Sequence, residues 1–221
     1  MLAKLVKAVT FRPEDTHAVI LDFFAGSAST AHAVLALNQD DGLQRRFICV
    51  QIQQPTDRGD YPSIAEVGKE RMRRVGKQLS SSLQTPGDVG FRVLSLEPSS
   101  FVSWTDQSGD DADVLQLRFD AAESPLTDGW RPENVLVEAM LTEGFPLDSR
   151  VTPRKAGRSR VSIVESEHRA HRLIACFDKN LDPAVPDTLG LTDTDVLVCL
   201  DTALDDAAKL RLAERCNLKT I

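Results

Sequence analysis

Apolar and polar positions along the chain keep two different rhythms, and each change of rhythm marks an element. Leu2, Leu5, Val6 and Val9 recur at helical spacing. An apolar run, Val19-Ile20-Leu21, then predicts a buried strand over 18–24, followed by a turn of small residues, Ala25 to Ala28. The pattern predicts a helix from Ser29 to about Asn38, ended by Asp40-Asp41-Gly42, and a second strand over 46–52. A loop holding Pro55, Gly59 and Pro62 leads to Ser63, which sits three residues before Glu66 as the start of a capping box for a long helix. The polar stretch SSSLQTPGD reads as a linker. A β-α-β-α order predicts a parallel sheet with helices on its faces.

Beyond residue 88 the pattern changes. Residues 90–96 read as a strand, 108–113 as an acidic loop, and 133–143 as a helix closed by Gly144 and followed by Pro146. Residues 159–165 and 172–178 alternate like two paired strands. Residues 195–200 form a further strand and 205–216 a closing helix. The fold class is therefore α/β with two modules, 1–85 and 88–221, and no internal repeat.

The chemistry concentrates at AVILDFFAGSAST, residues 18–30. A strand, a tight small-residue turn and a helix start together leave backbone N–H groups pointing outward with little side chain in a ligand's way. The spacing is not that of a phosphate-clamping loop ending in Gly-Lys-Ser/Thr, nor the G-x-G-x-x-G of dinucleotide folds. Ser27 lacks the G-x-S-x-G setting of a nucleophile.

The string DFFAGSAST resembles the D-x-F-x-G-S-G-x-T signature of amino-methyltransferases that bind S-adenosylmethionine, with Phe24, Gly26 and Thr30 in place and Ala28 where the family has glycine. Four further segments, in order, resemble the modification subunit of type III restriction systems: RRFICVQIQQPTDRGDYPSIAEVGKERMRRV, GFRVLSLEPSSFVSW, LVEAMLTEGFPL and LIACFDKNLD. The resemblance covers roughly residues 5–210. It implies a partial S-adenosylmethionine-dependent methyltransferase sheet, Rossmann-like, followed by a smaller α/β domain, and methyl transfer to adenine N6 in DNA. It implies cofactor contacts at Asp22, Phe24, Ala25, Gly26, Ser27, Ala28 and Thr30, and at the strand end with Gln51 and Gln53. The family commonly has a glutamate aligned with Gln53 or Gln54, where it accepts from the ribose hydroxyls. An amide there loses the charge-assisted strength, roughly twofold, so weakened cofactor binding is expected. The family's catalytic D-P-P-Y segment is missing from this sequence, which contains no Pro-Pro dipeptide. The chain thus resembles the C-terminal part of such a subunit, without a catalytic residue of its own. It would meet DNA only through a complementary N-terminal half, with contacts to Mod or Res subunits.

Composition narrows this further. At 221 residues, 42% hydrophobic and 27% charged, the chain is ordinary for a soluble globular protein. No apolar run approaches the roughly 18 residues of a membrane span, and MLAKLVKAVTF is too weakly apolar for a signal peptide, so a cytoplasmic location is expected. Net charge is −7, divided as +1 over residues 1–90 and −8 over the rest, the reverse of a phosphate-binding surface. Cys49, Cys176, Cys199 and Cys216 lie far apart with no C-x-x-C pair and read as buried free thiols. His17, His32, His168 and His171 have no partners at ligand spacing, so no metal site is expected. Lys69, Arg71, Arg73 and Arg74 read as a solvated helix face pairing with Glu66 and Glu70, and Trp104 and Trp130 as packing residues. Two non-enzymatic readings stay open beside the methyltransferase: an assembly module, and a non-functional remnant.

Overall fold

A computed structural model describes residues 1–12, 16–57, 59–82, 87–102 and 125–221. It divides into two compact units, Met1–Val93 and Leu94–Ile221. The acidic loop over 108–113, Trp104 and the middle of the 80–88 linker fall outside the described residues. No described helix is long and apolar enough to cross a membrane.

The first unit holds α1 (Leu2–Val9), β1 (Val19–Asp22), α2 (Ser29–Asp41), β2 (Arg46–Cys49) and α3 (Ile64–Ser82). β1 and β2 are parallel, from Val19 opposite Arg46 to Asp22 opposite Cys49. α2 packs against both α1 and α3. Val6, Val34 and Leu37 close one seam over Ile20 and Phe47. Ala28, Ala31, Leu35, Met72 and Val75 close the other over Phe47 and Cys49. The alternate strand positions Val19, Leu21 and Ile48 are exposed, Leu21 by 58%. Among the described residues one face of this parallel sheet is covered by helices and the other exposes Val19, Leu21 and Ile48 beside Arg46, whereas parallel sheets are ordinarily covered on both faces.

A buried arginine ties α1 to the α2–β2 connection. Arg45, 3% exposed, chelates the Asp41 carboxylate at 2.9 and 3.0 Å. It also donates to the Thr10 hydroxyl at 2.7 Å and the Thr10 carbonyl at 3.1 Å. The Arg45 hydrogen bonds to its carboxylate lower the pKa of Asp41, outweighing burial, with help from the Leu43 N–H.

α3 begins as the capping box requires, with Ser63 Oγ accepting from the Glu66 N–H at 3.3 Å. The predicted strand over 90–96 is absent. Val93, Leu94 and Leu96 are exposed, and no strand among the described residues pairs with them. Phe91 alone packs onto the α3 core, and Val89 lies against Gly76, where a side chain's first carbon would come within 3.4 Å of the Val89 carbonyl.

The second unit runs α4 (Pro132–Thr142), β3 (Arg150–Ala156), β4 (Ser159–Glu165), β5 (Leu173–Cys176), α5 (Val185–Leu189), β6 (Val196–Cys199), α6 (Asp206–Ala213) and β7 (Asn217–Thr220). Its sheet has the order β3-β4-β5-β6-β7. The β3-β4 and β4-β5 pairs are antiparallel, and β5-β6 and β6-β7 are parallel. β5 and β6 are buried along their whole length, which explains the continuous apolar runs LIAC and VLVC. Ile174, Cys176, Leu197 and Cys199 face Val185 and Leu212 on one side, while Leu173, Ala175, Val196 and Val198 face Leu136, Met140 and Phe145 on the other. The expected β4–β5 pair is present, but β3, α5 and β7 were not predicted. The expected closing helix stops at Ala213, because residues 217–220 leave it to form the parallel edge strand β7.

Cys176, Cys199 and Cys216 are buried free thiols, and Cys49 is free and half-buried. Burial, reinforced by Cys176 and Asp201, pushes the Cys199 thiol up to about 12. Trp130 packs edge-on against Phe177 with ring centroids 6.0 Å apart.

Candidate functional site

The turn between β1 and α2 is built from four kinds of contact. Asp22, the last residue of β1, accepts from the Thr30 hydroxyl at 2.5 Å and from the Phe24 N–H at 3.2 Å. One carboxylate thus joins the strand end, the turn and the first turn of α2. The Ala25 N–H donates to the Val50 carbonyl at 3.1 Å, and the Val50 N–H donates to the Asp22 carbonyl at 2.8 Å. The Gly26 N–H donates to the Gln51 side-chain oxygen at 2.7 Å. Gln51 therefore closes the turn from the second strand's end, while Gln53, two residues on, is exposed.

Gly26 and Ala28 both adopt left-handed backbone, at φ +52° and +60°. Glycine takes this conformation freely, whereas alanine pays roughly 1 kcal/mol. Ala28 is buried, 7% exposed, in the core with Ala31, Met72 and Val75.

α3 holds the turn from outside, through Gly68, which the sequence reading did not single out, and through Arg71, which was expected on a solvated face beside Glu66 and Glu70 and instead reaches the turn. A side chain's first carbon at Gly68 would lie 3.4 Å from both the Ala28 Cβ and the Gly26 carbonyl. A glycine inside an otherwise helical pattern was the available signal for such an approach. Arg71 donates to the Ser27 hydroxyl at 3.0 Å and the Ser29 hydroxyl at 3.2 Å. The other three basic residues behave as the spacing predicts: Lys69 pairs with Glu66, and Arg73 and Arg74 with Glu70. The i,i+4 rule could not separate Arg71 from its neighbours, because its partners lie more than forty residues away.

Phe23 and Phe24 stand in front of the turn with ring centroids 5.0 Å apart, Phe24 84% exposed. The arrangement is an open surface. Two open cavities, of about 390 and 150 Å³, are lined by residues of the second unit. Among the described residues no three His, Cys, Asp or Glu side chains converge as a metal site would require.

Sequence comparison finds relatives for part of the chain. Over 124 residues the chain is 38% identical to the Mod subunit of the type III restriction-modification enzyme StyLTI of Salmonella typhimurium. It is 38% identical over 101 residues to the EcoP15I Mod subunit of Escherichia coli, and 37% over 82 residues to the EcoPI Mod subunit of Escherichia phage P1. The chain is Mod-like over part of its length. The matches cover 53%, 43% and 34% of the chain but only 18%, 15% and 13% of these relatives, so the Mod-like stretch corresponds to less than a fifth of a Mod subunit. No family model matches the chain.

Proposed function

We propose that this chain is the cofactor-binding, C-terminal part of a site-specific DNA adenine-N6 methyltransferase of a type III restriction-modification system. Residues 1–85 are then the S-adenosylmethionine half of a Rossmann-like domain, and residues 88–221 the C-terminal α/β domain of a Mod subunit. The observation that carries this reading is the left-handed, doubly anchored turn at Gly26–Ala28 in a chain of Mod-like sequence.

The residues present fit the cofactor. Beyond Gly26 the space is open, the nearest neighbour of a side chain's first carbon being 4.0 Å away. Backbone at Ala25, Gly26, Ser27 and Ala28 forms the floor, with Phe24 beside it. Asp22, held by Thr30, keeps acceptor capacity for a cofactor amino group. Gln51 supports the turn, and Gln53 offers an amide oxygen to a ribose hydroxyl. When bound, the cofactor supplies a methyl group on a positively charged sulfur. This chain's residues bind and orient it. The pocket for a flipped adenine and the D-P-P-Y loop that holds its amino group come from sequence outside these 221 residues.

The exposed sheet face supports a further part of the proposal. Val19, Leu21, Ile48 and Val50 are the surface on which the rest of a methyltransferase sheet and its helices would pack. The same face favours a second reading, in which the chain supplies assembly contacts to a Mod or Res subunit and does not bind the cofactor.

Co-expression with a polypeptide carrying a Mod D-P-P-Y segment and target-recognition region separates these readings. The expected result is a co-purifying pair that transfers labelled methyl groups to adenine in duplex DNA. Co-purification without transfer supports the assembly reading alone. Failure to associate would overturn both.

A further inference from the structure

Arg150 to Arg160 carries five basic residues and no acidic one, in a half-chain whose net charge is −8. These eleven residues are β3, its turn and the first residues of β4, and β3 is one of the two edge strands of the five-stranded sheet. Register fixes where the charges stand. Arg150 and Arg154 share one face of the ribbon, opposite Glu165 and Val161, while Lys155 lies on the other face, directly across from Arg160. Arg158 is at the tip. Its side chain is 89% exposed and that of Arg160 88%.

Two of the five have carboxylate partners. Arg158 pairs with Asp182 at 3.3 Å, and Arg160 stands 3.8 Å from Asp178. Among the described residues no ion pair involves Arg150, Arg154 or Lys155, all exposed. Charge and proline on an edge strand guard against edge-to-edge aggregation, and Pro153 serves that end. That guard works with either sign. It does not account for five charges of one sign in an acidic unit, nor for Lys155 facing Arg160, a like-charge cross-strand pair that destabilises an isolated sheet.

From this juxtaposition we propose that the β3 edge and its Gly157-Arg158 turn form a track for the phosphate backbone of duplex nucleic acid, with basic side chains flanking the edge on both faces. Duplex is favoured over single strand because residues 150–160 contain no aromatic side chain on which bases could stack. It is favoured over a membrane surface because the tip has no large apolar residue to insert. Contacts of this kind position a protein and carry no sequence preference. The edge lies in the second unit, so its reading stands without the cofactor turn. The charge balance of the whole half hid it by averaging the run against distant acids.

The test is a fluorescence-anisotropy titration of a labelled 20-base-pair DNA duplex with the chain, without cofactor, across a series of salt concentrations. Five phosphate contacts give a log–log salt slope of about −4.5. The triple variant Arg154→Gln, Lys155→Gln, Arg160→Gln keeps the Arg158–Asp182 contact that secures the turn, and should lower the slope magnitude by about 2.7 with unchanged thermal unfolding. The triple variant Lys69→Gln, Arg73→Gln, Arg74→Gln on α3 removes the same charge and should leave the slope in place. Equal loss in both variants, no duplex binding at about 50 mM salt, or binding only to vesicles containing phosphatidylserine would each overturn the proposal.

Discussion

Replacing Asp195 by alanine should destabilise the second unit by about 3–5 kcal/mol. Its side chain is 4% exposed and receives a two-pronged contact from Arg172, at 2.6 and 3.2 Å. It also accepts from the backbone N–H groups of Arg172 and Thr192, at 2.9 and 3.0 Å. The Arg172 guanidinium reaches on to the Leu189 and Gly190 carbonyls, closing the end of α5. One ion pair thus holds the starts of β5 and β6 and the end of α5 together. Alanine leaves the arginine half-buried without its anion, and that orphaned charge is the larger part of the cost. Chemical denaturation of the two proteins measures the difference.

The same site gives an acid transition its direction. Burial alone would raise the pKa of Asp195, but hydrogen bonds from the Arg172 side chain and backbone and from Thr192 outweigh it and hold the group at about 2. A carboxylate depressed from its ordinary 3.8 contributes stability that is complete above about pH 5 and lost as pH falls through 3.8 toward 2, amounting to about 2 kcal/mol. The variant should lack this part of the acid dependence, which denaturation curves between pH 5 and 2 would reveal.

The Arg45→Met variant should lose about 2–4 kcal/mol in the first unit, less than the Asp195 change because Asp41 is 23% exposed and can recover water. The buried Thr10 loses the Arg45 donors to its carbonyl and hydroxyl oxygens, and α1 loses its tie to β2. The signature is local: amide exchange should quicken in α1 and at the α2–β2 connection, with β3 to β7 unchanged. Uniform quickening across both units would refute a clasp confined to the first.

Which parts were legible in the sequence follows from the range of the forces involved. β1, α2, β2 and α3 were visible because period and capping are local: Ser63 and Glu66 stand three residues apart, and Gly42 ends α2 in left-handed backbone. β3 was missed because an edge strand is exposed on both sides and shows no apolar alternation, and β7 because four residues beyond a helix carry too little pattern. The turn itself was readable from small residues at fixed spacing. Its supports were not. Arg45 and Arg71 are charged residues, ordinarily surface, and their roles depend on partners brought near by the fold, Thr10 in one case and Ser27 and Ser29 in the other.

The cofactor claim is tested most directly by calorimetric titration of the purified chain with S-adenosylmethionine, beside the Gln53→Glu and Gly26→Val variants. The expected result is binding weaker than low micromolar, tightened about tenfold by Gln53→Glu, which restores a charged acceptor for the ribose, and lost in Gly26→Val, where a branched side chain is forced into left-handed backbone. Absence of heat at millimolar cofactor in both the natural chain and Gln53→Glu, or binding unchanged by Gly26→Val, would contradict it.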